Sequence, residues 1–426
     1  MSDVVVTGTG VVCATATGRE AFADALLEGR CGARPLRAFD AAALPVRIAC
    51  EVDLDALPFD GIPPKARKLM SRATMFAAVA ARLARDDARL APGDADPQRM
   101  GVAFGAGGMG TVDTEFLDVE IAAMETCHQN GGFTWDHFFD AYQRIVNPLA
   151  AIRALPNLAA GTLGILHDAQ GVNVTVATAC TSATQAIGEA MRALERGEAD
   201  VMITGGADAM INPTGVVGFH LLGALSRRND DPAHASRPFD RDRDGFVIGE
   251  GAGVLILERE EFARARGAPI RGRVIGYASA CDAYRITDER PDGAGAARTM
   301  HRALRDAGIL PEDVGYINAH GTGTRMNDRL ETLAIRRVFG AAPPPVSSTK
   351  SMVGHMLAAA GAVEAIATLI GLAGGWLPPT INYTTPDPEC DLDCVPGAAR
   401  RSRVELALSN SFGFGGQNAC LLLQSP

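Results

Sequence analysis

The chain has no metal-ribbon or disulfide signature. Its nine cysteines are scattered, none sits in a CxxC pair, and Cys390 and Cys394 are the closest two. That pattern excludes a zinc ribbon and a disulfide scaffold, and it suits a reducing compartment. A secretory start is missing as well: MSDVVVTGTG at residues 1–10 has neither a basic head nor a long apolar run, so a cytoplasmic location is expected. The most membrane-like stretch, 356–376, is interrupted by Glu364 and dominated by glycine and alanine. A span needs ~20 nearly charge-free apolar residues, so a buried core helix is expected and no membrane. Basic residues are in deficit: 40 Lys and Arg against 50 Asp and Glu give a net charge of −10. That excludes a nucleic-acid footprint over the whole surface, while leaving room for a local basic patch. There is no GxSxG elbow, which excludes an α/β-hydrolase. His128 and His137 have no ligand-like spacing, so no catalytic metal is expected.

What is present is a globular composition. With 426 residues, 47% hydrophobic and 21% charged, the chain can bury one large core or two fused ones. Short apolar runs at 4–7, 102–104, 172–177, 201–204 and 254–258 read as strands, and a second set follows at 274–279, 314–318, 346–348, 404–408 and 419–423. Helical patterns separate them, which implies a layered α/β fold. The two sets resemble each other. In each, an apolar strand leads into a helix of small residues: TVATACTSATQAIGEAM in the first, VSSTKSMVGHMLAAAGAVEA in the second. The charged stretch EREEFARARG at 258–267 lies between them, so the halves are placed at 1–258 and 259–426. Residues 111–171, aromatic-rich and irregularly helical, read as an insertion covering one face, for packing, an oligomer contact or substrate contact.

Three residues carry candidate chemistry. Cys180 follows a strand and precedes Ala183, Ala186, Ile187, Ala190, Met191 and Leu194 at helical spacing. It therefore falls at a helix N-terminus, where free N–H groups and the macrodipole are expected to lower a thiol's pKa. Thr181 and Ser182 suit a helix cap. His320, in YINAHGTGT, follows a strand; His355 starts a helix five residues after Lys350. A thiol needs a positioned imidazole, and a developing oxyanion needs donors. SFGFGGQN at 411–418 sets Phe412 and Phe414 among three glycines, a turn that lets backbone N–H groups approach a ligand. Residues 105–110 match GxGxxG after a strand, but no acidic residue ends a second strand at the distance a dinucleotide needs.

Together these segments resemble the β-ketoacyl-acyl-carrier-protein synthases of the elongating type, over nearly the whole chain. The resemblance rests on TACTSA around Cys180, GEADVMITGGADA, RPFDRDRDGFVIGEGAGVLILE from Arg237, NAHGTGT at His320, STKSMVGHMLAAAGAVEA from Ser348 and SNSFGFGG from Ser409. It implies a thiolase-like fold, two fused similar α/β halves in a five-layered α-β-α-β-α core. It implies decarboxylative condensation of an acyl-cysteine enzyme with a malonyl-carrier thioester to give a 3-oxoacyl-carrier, in fatty acid or in polyketide and polyene biosynthesis. By resemblance, Cys180 would take the acyl group, and His320 and His355 would assist loss of carbon dioxide and stabilise the enolate. Lys350 would orient the histidines, with Glu331 nearby. The N–H groups of Cys180 and Phe414 would form the oxyanion hole, and Phe414 would gate the pocket. Phe219 and Phe412 would wall it, and Thr322 and Thr324 would bind the pantetheine arm.

No cofactor is implied beyond the phosphopantetheine carried by the acyl carrier protein. That acidic partner would dock at Lys65, Arg67 and Lys68, read as the opening of an amphipathic helix whose core face is Leu69, Ala73, Phe76, Ala77, Ala80 and Leu83. The chain departs from the family pattern at Arg325, Met326 and Asn327, where many relatives have a Pro and a Gly, and at Gln417. The family implies a homodimer or a heterodimer with a chain-length-factor-like subunit. Two other readings are a non-catalytic partner subunit, against which all three of Cys180, His320 and His355 stand, and a coenzyme-A thiolase.

Overall fold

The computed structural model describes residues 3–107, 114–129 and 131–426; parts of the 105–110 glycine turn and of the 111–171 insertion lie outside them. Ten strands carry the architecture. In the first half these are β1 (Val4–Cys13), β2 (Met100–Ala106), β3 (Asn173–Val176), β4 (Val201–Asp208) and β5 (Gly251–Arg259). In the second they are β6 (Gly272–Cys281), β7 (Tyr316–Asn318), β8 (Val346–Ser347), β9 (Leu406–Gly413) and β10 (Gln417–Gln424). The first five lie side by side as β3-β2-β4-β5-β1 and the second five as β8-β7-β9-β10-β6. The two orders are the same permutation. In each half the first three neighbours run parallel, and the last two reverse direction in turn. The weak repeat in the sequence is thus a full topological repeat. The sheets join edge to edge only where Val5 and Val6 of β1 meet Arg273 and Gly272 of β6.

Helices fill three layers around these sheets. Helix α1 (Arg72–Asp87) and helix α2 (Leu158–His167) cover the outer face of the first sheet. Helices α3 (Ser182–Glu195) and α6 (Ala360–Gly374) lie together in the middle and touch strands of both sheets. Helix α4 (Ala294–Ala307) covers the outer face of the second sheet, and α5 (Arg325–Phe339) packs beside it. Position explains composition here. Helix α6 is AGAVEAIATLIGLAG, buried from Ala360 to Leu372, because it has a sheet on either side and no solvent face. With the turn Leu357–Ala359 before it, α6 makes the one stretch among the described residues long and apolar enough to cross a membrane, Leu357–Gly374, and that stretch is largely buried.

Two strands outrun their sequence signals. β1 continues past residue 7 to Cys13 with every residue buried. Glycines at 8 and 10 break the apolar run because α1 lies directly on them: a Cβ at Gly8 would stand 2.1 Å from the Ala84 carbonyl oxygen, and one at Gly10 would stand 2.0 Å from that of Ala80. The strand expected at 404–408 lies instead at Leu406–Gly413. Its polar centre, Ser409 to Ser411, is fully buried, with Ser411 facing the middle layer and Asn410 the outer one. Ser411 Oγ meets Thr184 Oγ1 of α3 at 2.7 Å, and Asn410 donates to Glu331 at 3.1 Å.

Between β2 and β3 the chain forms helices Thr114–Gln129, Trp135–Ile145 and Ala150–Arg153 before α2. This segment leaves Ile121, Trp135, Phe139, Ile152 and Leu155 exposed, and β3 at the sheet edge exposes Val174.

Gly10→Ala is expected to force α1 off β1 and lower the unfolding free energy by about 1–3 kcal/mol. A denaturant titration checks this, with a lower midpoint at unchanged slope.

Candidate active site

The two middle helices point their N-termini toward one another, and the candidate chemistry collects there. Cys180 sits on a single turn, Ala179–Thr181, that runs straight into α3. The turn is strained, with Ala179 at φ 52°, and it is braced on both sides. Ser182 Oγ accepts the Thr178 N–H at 2.9 Å and donates to the Ala179 carbonyl at 2.7 Å, while Thr181 Oγ1 donates to the Thr178 carbonyl at 2.7 Å. Thr181 and Ser182 therefore hold the nucleophile's turn and do not cap the helix as expected. The end of β9 closes on the same turn: a Cβ at Gly413 would lie 3.1 Å from the Cys180 nitrogen. This contact sets the N–H of Cys180 beside the turn that carries Phe414.

The thiol pKa corrects the sequence expectation. Burial pushes Cys180 up to about 12, and Asp208 and Glu364 push the same way; the nearby Lys350 charge only partly opposes this. The helix N-terminus is present, but desolvation in an enclosed pocket outweighs it, and the resting group is a thiol.

His355 Nε2 is 3.2 Å from Cys180 Sγ. The backbone of His355 is pinned to the 247–249 segment, donating to the Val247 carbonyl at 2.8 Å and accepting from Gly249 at 2.9 Å. The Leu357 N–H points at its Nδ1 from 3.3 Å. His320 follows β7, and its Nδ1 faces Lys350 Nζ at 3.3 Å. In each ring Nδ1 accepts, which assigns the proton to Nε2. Burial, followed by the Lys350 charge, holds both imidazoles well below the ordinary histidine pKa, so both are neutral. The rings stand 5.3 Å apart and nearly perpendicular. Cys180, His320 and His355 offer ligand atoms within 4.8 Å of one another, the one such group among the described residues. With both Nε2 atoms protonated, the set is a pair of donors beside a sulfur.

Lys350 is 1% exposed, and its ammonium is fully satisfied. Its three partners are Glu364 on α6 in a tight ion pair, the His320 carbonyl at 2.6 Å, and His320 Nδ1. Glu331 positions the other side of the same histidine. It accepts the N–H groups of His320 at 2.9 Å and Gly321 at 2.8 Å, and burial pushes its pKa up to about 7. Asp328, also buried, pairs with Arg243 and accepts the N–H groups of Phe239 and Gly323.

A pocket of about 570 Å³ opens onto Cys180, His320 and His355, with Thr322, Thr324, Phe412 and Phe414 in its wall. Thr322 and Thr324 share a 2.9 Å hydrogen bond, and Thr324 also caps α5. Phe414 stands at the mouth, 36% exposed, and Phe412 packs 5.8 Å from the His320 ring. Phe219 is not in the wall. It stands one layer back, 5.6 Å from Phe246 and 6.4 Å from Phe414, so it packs behind Phe414 and does not line the pocket.

Lys65, Arg67 and Lys68 do not open the amphipathic helix. They lie on a separate four-residue turn, Pro64–Arg67 and its C-cap, and α1 begins only at Arg72, where Ser71 accepts the Thr74 N–H. Leu69, expected in the core, is 48% exposed, whereas Phe76, Ala77 and Ala80 are buried. The Pro63–Pro64 pair starts the short turn, and Ser71 caps a new helix four residues after it ends. Lys65 and Lys68 face solvent, while the Arg67 guanidinium lies over the Phe59 ring at 5.0 Å.

Glu364 is the site residue that sequence reasoning missed, although it was the lone charge in an apolar run. A second signal was the scarcity of lysine: the chain has three, at 65, 68 and 350, among 40 Lys and Arg. The pocket wall formed by residues 286–289 had no local signal.

The family models for the N-terminal and C-terminal domains of β-ketoacyl synthases match residues 1–263 and 271–384. The chain is 44% identical to a 3-oxoacyl-[acyl-carrier-protein] synthase 2 of Synechocystis sp., covering 98% of this chain and 97% of that one. Among solved structures it superposes with a TM-score of 0.88 and 33% identity on a type II polyketide ketosynthase in complex with its acyl-carrier protein and bound to the hexaketide, covering 100% and 99% of the two chains. It superposes with a TM-score of 0.87 and 35% identity on the ishigamide ketosynthase/chain length factor, with the same coverage.

Glu364→Gln is expected to leave the Lys350 ammonium buried without its counter-charge. The fold should lose about 3–5 kcal/mol, the cost of breaking one side of a buried ion pair, read by chemical denaturation.

Proposed function

We propose a working mechanism from the premise that this chain belongs to the β-ketoacyl synthase family and is an acyltransferase of the 3-oxoacyl-[acyl-carrier-protein] synthase type, in fatty acid or polyketide biosynthesis. The observation that carries the mechanism is Cys180 Sγ 3.2 Å from a neutral His355, with a neutral His320 across from it.

In the first half-reaction Cys180 attacks the carbonyl of an acyl-carrier thioester. The N–H groups of Cys180 and Phe414 receive the oxyanion. The carrier thiolate leaves and takes up the proton that the Cys180 thiol gives away, so the exchange balances without an external base. In the second, a malonyl-carrier thioester enters along Thr322 and Thr324. Its carboxylate leaves as carbon dioxide, and the bonding pair passes onto the thioester oxygen, where the two Nε2–H groups stabilise the enolate. The enolate carbon then attacks the acyl-Cys180 carbonyl. The Cys180–acyl bond breaks, the negative charge brought in by the malonyl carboxylate ends on the sulfur, which takes up a proton from solvent, and the 3-oxoacyl-carrier departs. Neutral imidazoles suit this step: a donor is needed, and each ring, with its cationic form disfavoured, keeps a single Nε2–H that hydrogen-bonds the enolate oxygen without being transferred to it. The steps need no cofactor on this chain, since the pantetheine arm arrives on the carrier, and no metal.

Lys65, Arg67 and Lys68 form the docking patch we assign to the acidic carrier; two of the chain's three lysines are there and both face solvent. The exposed apolar face of residues 121–155 and the edge strand β3 are the surface we assign to a second subunit, either a copy of this chain or a chain-length-factor-like partner. All nine cysteines are free, in keeping with a cytoplasmic location. The complete Cys-His-His assembly argues against a non-catalytic subunit.

Cys180→Ala is expected to abolish the acyl adduct seen by intact-protein mass spectrometry after incubation with acyl-carrier thioesters; an adduct surviving that change would refute the nucleophile. Cys180→Gln should still release carbon dioxide from malonyl-carrier, because both histidine donors remain. Charge reversal at Lys65, Arg67 and Lys68 together should raise KM for the carrier substrate about tenfold or more at low salt, and the difference should shrink as salt is added. An unchanged KM would remove the docking assignment.

A further inference from the structure

The end of β4 holds a buried acid that the mechanism above leaves unused. β4 and β9 occupy equivalent places in the two halves, each eight residues long, and Asp208 ends β4 as Gly413 ends β9. Each strand end meets the N-terminus of a middle helix. At Gly413 the backbone itself closes on Cys180. At Asp208 a carboxylate makes the junction: Oδ2 accepts the Ala358 N–H at 3.1 Å, and Oδ1 accepts the Ala209 N–H at 2.9 Å. The group is 2% exposed. The glycine at 107 makes room for it, since a Cβ there would stand 2.4 Å from Oδ2. Ala358 belongs to the turn Leu357–Ala359 that leads from His355 into α6. Leu357 in that turn has φ 45°, a left-handed conformation that leucine adopts only under constraint. It is this residue whose N–H points at His355 Nδ1.

We propose that Asp208 is a positioning residue for His355: by holding the Ala358 N–H it keeps the strained Leu357 turn in place, and that turn fixes the imidazole with Nε2–H toward Cys180. The proposal rests on the condensing-enzyme reading. Asp208 touches no reacting atom and acts through the backbone, on the histidine that serves the malonyl half-reaction. The groups that face it are Glu250, whose charge raises its pKa, and the Cys180 thiol, whose pKa it raises in turn. Burial brings Asp208 to about 6 against the two N–H bonds that favour the carboxylate. Above that pH it is charged and accepts both N–H groups; below it one oxygen is protonated, and the hold on the turn weakens.

The test is Asp208→Asn, which keeps the shape and removes the titration, assayed in the two half-reactions with the full-length protein. Malonyl-carrier decarboxylation and condensation should lose about tenfold or more in kcat, the scale of one displaced donor, with KM within about twofold. Acylation of Cys180, read by intact mass, should fall far less. The acidic limb of the wild-type kcat profile near pH 6 should vanish in the variant. Gly107→Ala, which crowds the same carboxylate, should reproduce the split between half-reactions. Unchanged condensation, an acidic limb that persists in Asp208→Asn, or equal loss of acylation and condensation would each overturn the proposal. Wild-type protein that fails to acylate at Cys180 would overturn the condensing-enzyme reading itself, and this inference with it. That result is distinct, because the acylation assay reads a step the Asp208 contact does not serve.

Discussion

A single ammonium group buried at the centre of the molecule ties the site to the fold. Lys350 has three protons and three partners, on two pieces of the architecture. Glu364 is on α6, between the sheets; the carbonyl and the ring Nδ1 of His320 stand just past the end of β7. An unpaired charge at this depth would cost several kcal/mol, so the arrangement is close to all-or-none. If the ion pair forms, the helix, the strand end and the imidazole are fixed together. The same charge sets the chemistry. It directs a proton donor at His320 Nδ1, forcing the ring's own proton to Nε2, and it disfavours the cationic form of both histidines.

The duplicated topology explains why such a centre is available. Two copies of one five-stranded pattern lie back to back, and each contributes one helix to the middle layer. The N-termini of those helices converge, and each is met by a strand end from its neighbour. The two junctions differ in their details. One is closed by glycine backbone and carries Cys180; the other is closed by an aspartate and carries a histidine. Polar residues in the middle of β9, such as Asn410 and Ser411, are the mortar of this interior. They bond to Glu331 and Thr184, and so link the outer helix α5 and the middle helix α3 to the same strand.

The pocket's electrostatics follow from enclosure. Desolvation raises the Cys180 thiol and lowers both histidines, so at neutral pH the three groups are themselves uncharged, with Asp208 and the Lys350–Glu364 pair as charges behind them. A reaction that creates an enolate from a carboxylate gains from such surroundings, where two N–H donors act without competing water.

Much of this was legible in the sequence because it is local. Cys180, His320 and His355 each sit where an apolar run meets a glycine or small-residue turn, and the period of hydrophobic residues sufficed to put a strand before and a helix after the cysteine. The repeat of two halves, and the reading of residues 356–376 as a core helix and not a membrane span, rested on the same kind of pattern. What the tertiary structure alone decided is everything that depends on distant partners and on depth. Glu364 looked like an interruption until Lys350, fourteen positions away, was found against it. Phe219 took its place behind Phe414 through contacts with Phe246 and Phe414. Lys65, Arg67 and Lys68 fell on a short turn of their own, apart from the helix that follows. The state of the Cys180 sulfur was the plainest case. A helix N-terminus lowers a thiol's pKa, and desolvation, which overrides it here, is a property of the closed pocket and not of any stretch of sequence.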